Sequence, residues 1–446
     1  MNAAAHAAPA PMTSRQVIRL RNFRLVWLAQ GISDLGDGLT NLTLLLMVNS
    51  LTGSTAALAL MAIVLAVPPM TIGLVAGVYV DRLDRRKVML AADLLRVAIV
   101  LGFIVVRSAD QIWILYLLAF VEATVGTFFT PARTALVPAL VPAEGLMAAN
   151  GLSQASRVIA ATMGAAGAGV LFGLAGSAWP AFVADSLTFG LSFLLILQVR
   201  APASDTNPAA TSGSAAEAAK GEGEGKNEGV RAELVGGLRT IAQSPILVGS
   251  LISIGVLMLG LGAVNVLFIP LLIGHLHVAP TWIGLVDLAQ TSSMVLSALF
   301  ISRIVGRRKP TSIVTFCLAG TALLVLLLAG TTALWQVLLL LFVVGWLVSP
   351  LNAAASTIIQ TSVPRRSMGR VGAALNAVMS GASIASMAAA GLLAAILGVQ
   401  AVLFIAGAVT GASALVAWIL FRRIPSVTTE LTERPVTLGD PHWEPE

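Results

Sequence analysis

Residues 77–87 read GVYVDRLDRRK, and six of the last seven positions are charged: Asp81, Arg82, Asp84, Arg85, Arg86 and Lys87. Charge is scarce elsewhere, since Asp, Glu, Lys and Arg make up 11% of the 446 residues and hydrophobic residues 57%. Soluble domains use about 45–50% apolar residues, and the mean hydropathy here is +0.90. The apolar residues come in runs, with ALALMAIVLAV before the charged stretch and VAIVLGFIVV after it. A bilayer's hydrocarbon core takes about 20 apolar residues per helix. The charged stretch therefore reads as a short wet turn between two spanning helices. Strand-period alternation is absent, which argues against an outer-membrane barrel. The fold class is all-α, multi-pass.

Working outward from that turn, the apolar runs predict twelve spans. Six cover 23–48, 56–80, 88–107, 111–133, 151–174 and 178–198, and six cover 245–273, 281–304, 311–330, 333–361, 370–396 and 399–421. The expected organisation is a tail over 1–22, a six-helix bundle over 23–198, a flexible linker over 199–240, a second bundle over 241–423 and a tail over 424–446. Ala, Gly, Ser and Glu dominate the linker, which lacks the large apolar residues a core requires.

Basic residues fall on one side of this scheme. Arg15, Arg19, Arg21, Arg24, Arg82, Arg85, Arg86, Lys87, Arg200, Arg239, Arg307, Arg308, Lys309, Arg365, Arg366, Arg422 and Arg423 lie in the tails or after even-numbered spans. The gaps NSLTGST, GLAGSA, GHLHVAPT, GTTAL and GVQ hold no Lys or Arg, and Arg107 is the exception on that side. The positive-inside rule then puts both termini and the 77–87 turn in the cytoplasm, as in a bacterial inner-membrane protein. The net charge of +6 has this topological job and gives no sign of nucleic-acid binding. DRLDRRK also aligns with SRIVGRR in the second half, pairing Arg82 with Arg303, Arg86 with Arg307 and Lys87 with Arg308. A basic turn at the same place in each half suggests two repeats.

Cys317 is alone, and His275 with His277 offers too few ligands for a metal site. With no nucleophile–base set and no phosphate-binding loop, an enzyme is not expected, nor is a cofactor beyond a proton gradient as driving force.

Gly77, Asp81, Arg82, Arg85 and Arg86 fall in the order G-x-x-x-D-R-x-x-R-R, with Asp84 where a second Gly is usual. With six plus six spans and a long central loop, the chain resembles the major facilitator superfamily. RNFRLVWLAQGISDLGDGLT (21–40), TPARTALVPALVP (130–142) and VPRRSMGRVGA (363–373) look like the branch of enterobactin exporters and macrolide efflux proteins. The resemblance implies a monomer in which helices 1, 4, 7 and 10 line a central cavity. It also implies a cytoplasmic gate formed by Gly77, Asp81, Arg82, Arg85, Arg86 and Arg133. Positive-inside anchoring alone explains the basic residues of the turn, but not Asp81 and Asp84. Antiporters of the superfamily often carry G-P-x-x-G-G in the fifth helix; here GAAGAG (164–169) has Ala165 in the Pro position. Gly164, Gly167 and Gly169 more simply permit close helix packing.

A carboxylate at the bilayer centre costs at least about 2.5–3.5 kcal/mol, so such groups mark pathways or pairs. Asp34 and Asp37 lie near the midplane of the first span, about ten and thirteen residues past Arg24, on one helix face. Asp37 is the favoured proton or substrate-cation site, with Asp34 either a partner or a hydrogen-bonded structural group. Glu122 reads as a cavity residue facing Asp37 or as a buried partner of Arg96 or Arg157. Asp93 and Arg96, three apart on one helix, are expected to neutralise each other. Asp185 and Asp287 lie toward the outer third, where they could snorkel to water; Asp185 reads as structural, and Asp287 as either structural or functional. Asn41, Asn265, Gln290 and Asn352 complete the expected cavity, and Pro270 and Pro350 mark helices built to bend. The function expected is export of an amphipathic small molecule by proton antiport. A siderophore exporter, a lysophospholipid flippase and a non-transporting membrane receptor or scaffold stand as alternatives.

Overall fold

The computed structural model describes residues 12–80, 83–200, 230–300, 309–363 and 367–422, and every regular element among them is helical. A short α1 (Ser14–Arg19) precedes α2 (Arg21–Thr52), α3 (Thr55–Thr71), α4 (Gly73–Val80), α5 (Arg85–Gly102), α6 (Ile112–Leu140), α7 (Leu146–Ala175) and α8 (Trp179–Leu197). Then come α9 (Val230–Ala242), α10 (Pro245–Ile269), α11 (Ile283–Leu299), α12 (Pro310–Ala329), α13 (Leu334–Ser362), α14 (Met368–Leu397) and α15 (Val399–Arg422). Among the described residues, nine helical segments are long and apolar enough to cross a membrane.

Three expected spans fall outside that set for separate reasons. α2 is long, at 32 residues, but Asp34, Asp37 and Asn41 dilute its apolar run. The second span is broken after Thr71, just past Pro68 and Pro69, which remove backbone donors and kink the helix into α3 and α4. α11 has 17 residues and stops at Leu299, beside the undescribed residues 301–308. The composition places residues 230–240 in the linker, yet they are helical. In α9, Ile241 is buried among Leu247, Val371 and Leu375, so the apolar face of this helix has a partner on α14.

The helices run up and down between two ends. One end is basic and carries Arg24, Arg85, Arg86, Lys87, Arg200, Arg239, Lys309 and Arg422; the opposite end holds the tight turns. At the opposite end Gly53 closes α2 with φ +60°, a left-handed value that glycine adopts without strain. Ser54 then caps α3, its hydroxyl accepting from the Ala57 N–H.

α2 packs on α7 and α8, α5 on α6 and α8, and α3 on α6; later in the chain α10 packs on α14 and α15, α11 on α13, and α12 on α13 and α15. Two further seams, α3 with α14 and α7 with α11, join the earlier helices to the later ones. Small residues make these approaches possible. A side chain at Gly38 would strike the Ala161 carbonyl, and one at Gly164 the Leu35 carbonyl, so α2 and α7 touch backbone to backbone. The other face of α7 meets the segment leading into α11: Gly169 lies on Pro280, Gly173 on Thr281, and Ala166 against Gly284.

Candidate functional site

A cavity of about 730 Å3 lies between α2, α3, α6 and α14, and it reaches from the level of Asp37 toward the basic end, where Thr71, Gly73, Thr134 and Ala373 line it. The opposite end is closed by contacts across the two seams. Thr55 donates to the Gly391 carbonyl at 3.0 Å, and Gly169 and Gly173 lie against Pro280 and Thr281; at mid-depth Thr162 and Thr291 share a hydrogen bond of 3.1 Å.

At the inner end of the cavity, three helices bring three charges together. Arg96 on α5 donates from Nε and Nη2 to Glu122 Oε1 on α6, at 2.8 and 2.5 Å, and Nη2 also meets Asp37 Oδ1 on α2. All three residues line the cavity. The guanidinium lies 4.0 Å from the Phe189 ring centroid, and Gly126 leaves it room against α6. Two carboxylates on one guanidinium leave the group a net negative charge when both are ionised. Beside it, α6 presents Thr127, Thr130 and Thr134 along one helix face, with Asn41 on α2 and Asn376 on α14. The walls can thus accept a positive charge and offer hydroxyl and amide groups to a polar ligand.

The expectation that Asp93 and Arg96 neutralise each other is not met. Helix spacing makes them neighbours, but Arg96 is taken by carboxylates from two other helices. Asp93 accepts from the Ser192 hydroxyl at 2.6 Å instead, and its other oxygen has no partner. Asp185 is held inward rather than snorkelling to water. It is fully buried, accepting from Thr40 at 2.5 Å and from Thr188 at 3.1 Å. Asp34 is outside the cavity lining and accepts from Gln30 at 3.1 Å.

Of the other expected cavity residues, Asn41 lines the wall, whereas Asn265, Asp287, Gln290 and Asn352 do not. Asn265 and Asn352 are exposed on α10 and α13. Asp287 and Gln290 are half-buried on α11, where Asp287 shares a face with Gly284 and Thr291 at the seam. Pro270 opens a π-helical turn to His275, and Pro350 is buried within α13. The sequence reading missed the threonine stripe and Asn376; the 127, 130, 134 spacing on one helix face was the available signal.

At the basic end, Gly77 belongs to α4, and Asp81 and Arg82 lie outside the described residues. Asp84 caps α5, its Oδ1 accepting from the N–H groups of Arg86 and Lys87 at 3.0 and 3.3 Å, which accounts for an acidic residue in this turn. Arg85 donates to the Ala135 carbonyl at 3.0 Å, and Arg86 to the Ile196 and Leu197 carbonyls at 3.1 and 2.7 Å. These arginines satisfy carbonyls near the ends of α6 and α8. Arg133 is half-buried with no ion pair among the described residues.

Comparison with known proteins agrees with this architecture. A family model described as transmembrane secretion effector matches residues 12–436. Macrolide efflux protein A of Streptococcus pyogenes is 30% identical over 152 residues, a stretch that takes in 34% of this chain and 38% of that protein's length. The enterobactin exporter EntS of Escherichia coli is 27% identical over 358 residues, 78% of this chain and 79% of that one. Among solved structures, a bacterial homologue of the iron transporter ferroportin in its inward-facing state aligns with a TM-score of 0.70 at 13% identity, covering 91% and 99% of the two chains. The nucleoside transporter NupG aligns with a TM-score of 0.68 at 14% identity, covering 90% and 100%. These are transporters, not enzymes. The chain belongs to the transmembrane secretion effector family of the major facilitator superfamily.

Proposed function

We propose that this protein exports an amphipathic small molecule, cationic or neutral, in exchange for protons. The observation that carries the reading is the convergence of Asp37 and Glu122 on Arg96 at the inner end of the cavity. Two carboxylates share one cation there, Glu122 buried and Asp37 facing the cavity, so Asp37 is placed to exchange a proton as a cationic substrate arrives. Efflux proteins among the relatives and a cavity reaching the basic end support the direction. In this reading the chain has twelve spans in two six-helix halves, both termini are cytoplasmic, and the seams α3–α14 and α7–α11 are where the halves rock. The 77–87 turn closes the cytoplasmic side when the opposite end opens.

The test is transport in proteoliposomes under a pH gradient, with fluorescent cationic and neutral drugs and internal pH recorded together. Wild type is expected to accumulate drug while dissipating the gradient, and Asp37→Asn to lose both. Drug movement that leaves the gradient intact would sink proton exchange. Unchanged transport by Asp37→Asn would move the proton site to Glu122. A siderophore is the second reading, favoured by the enterobactin exporter's match over 78% of the chain. Transport of a catecholate, with every cationic drug inert, would select it.

A further inference from the structure

At the end opposite the basic one, a second cavity of about 420 Å3 lies between the ends of α2, α5, α7 and α8. Its base is apolar: Phe103 and Phe182 are fully buried, with ring centroids 5.0 Å apart, beside Met47 and Val106. Gly176 ends α7 with φ +62°, and this left-handed turn leads the rim of the cavity to Trp179.

Arg107 is the charged residue in this lining, and two features set it apart. It is the lone Lys or Arg in the connections at this end, against the charge bias of the rest of the chain. Its guanidinium also makes no ion pair or hydrogen bond among the described residues. Only its backbone N–H is engaged, donating to Gln111 Oε1 at 2.9 Å, and nearby Asp110 does not pair with it. Tryptophans give the level in the bilayer. Trp113, Trp179 and Trp335 are exposed in the first turns of α6, α8 and α13, and Trp282 is exposed just ahead of α11. All four stand at this end, and such a band marks the headgroup level of a membrane.

We infer that this cavity binds an anionic phospholipid, with Arg107 on the phosphate and an acyl chain beside Leu51, Ile104 and Phe172, which are half-buried in its lining. The guanidinium fork matches two phosphate oxygens, and an unpaired cation at the headgroup level attracts a negatively charged headgroup. A free phosphate would occupy the rim beside Arg107 alone, whereas a lipid chain also fills the apolar space below it. The occupant would touch α2 and α7 together, the helices that carry Asp37 and the seam with α11. The site stands independently of what the larger cavity transports.

The test uses the full-length protein in phosphatidylcholine nanodiscs containing a phosphatidylglycerol with a photoreactive group on its acyl chain. Cross-linked residues are mapped by peptide mass spectrometry. Label is expected on peptides containing Leu51, Ile104 or Phe172. Arg107→Gln should weaken it about tenfold, the size of one charge-assisted hydrogen bond, and Arg107→Lys should recover part of it. Phosphatidylcholine carrying the same group should label this site weakly in all three proteins. Equal labelling of wild type and Arg107→Gln overturns the proposal, as does equal labelling by the two lipids. Displacement of the label by inorganic phosphate would also overturn it, by showing an anion site without a chain.

Discussion

Arg96 is one cation holding two carboxylates in an apolar setting, and that arrangement makes the three side chains interdependent. Removing the guanidinium alone leaves the buried Glu122 and the half-buried Asp37 facing each other without compensation. Breaking a buried pair in this way costs about 3–5 kcal/mol, whereas replacing every member by a neutral group of similar size is often close to neutral. Arg96→Ala should therefore unfold well below wild type in a detergent melting series. The triple variant Asp37→Asn, Arg96→Met, Glu122→Gln should recover most of the loss while transporting nothing. If Arg96→Ala melts with wild type, the three charges are not coupled as the geometry requires. Asp37 and Glu122 were legible in the sequence because a carboxylate inside an apolar run stands out. The Arg96–Glu122 pair stood only as one option among several. Spacing along one helix selects Asp93, and only the crossing of α2, α5 and α6 shows the guanidinium turned the other way. Ser192, which takes up Asp93, lies 99 residues along the chain.

At the scale of the helix, the same small residue can be indispensable or replaceable, depending on what its missing side chain would meet. The GAAGAG run reads only as permission for close packing, and the structure sorts its members. A Cβ at Gly164 would strike the Leu35 carbonyl, a backbone group that cannot move without α2. A Cβ at Gly167 would lie 3.4 Å from a Leu39 methyl, which can rotate away. Gly164→Ala is expected to destabilise by about 1–3 kcal/mol, the usual cost of overpacking, and Gly167→Ala by under about 1 kcal/mol. Thermal melts of the two purified variants would decide it, and equal losses would contradict the backbone contact between α2 and α7. Helix positions were mostly readable from apolar run length, because a span needs a fixed number of residues whatever packs around it. The break after Thr71 had its signal in Pro68-Pro69 but depends on how α3 leans on α6 and α14. Helix α9 was hidden, since its short apolar face is stable only against α14.

For the molecule as a whole, the decisive feature is asymmetry between its ends. The cavity reaches the basic end, while the seams close the opposite one, and an exporter that alternates access must part those seams to release its load. The α7–α11 seam offers a way to prevent it. A Cβ at Gly173 would sit 3.3 Å from the Thr281 Cβ and 2.9 Å from its backbone N, so the two segments must part by a few tenths of an ångström to reach the separation of about 3.8 Å across a disulfide. The Thr281 methyl that would otherwise crowd it disappears when that residue becomes cysteine. The native Cys317 is buried and distant in sequence, so it offers no competing thiol at the surface. In the double variant Gly173→Cys, Thr281→Cys, oxidation should join α7 to the start of α11, abolish transport in proteoliposomes and leave substrate binding from the basic end intact. Reduction should restore transport, which separates a locked seam from a damaged fold. Thr281→Cys alone should transport before and after oxidation. A cross-linked protein that still transports would mean that the closed end does not open along this seam, and the rocking of two halves would have to give way to a local movement within one of them.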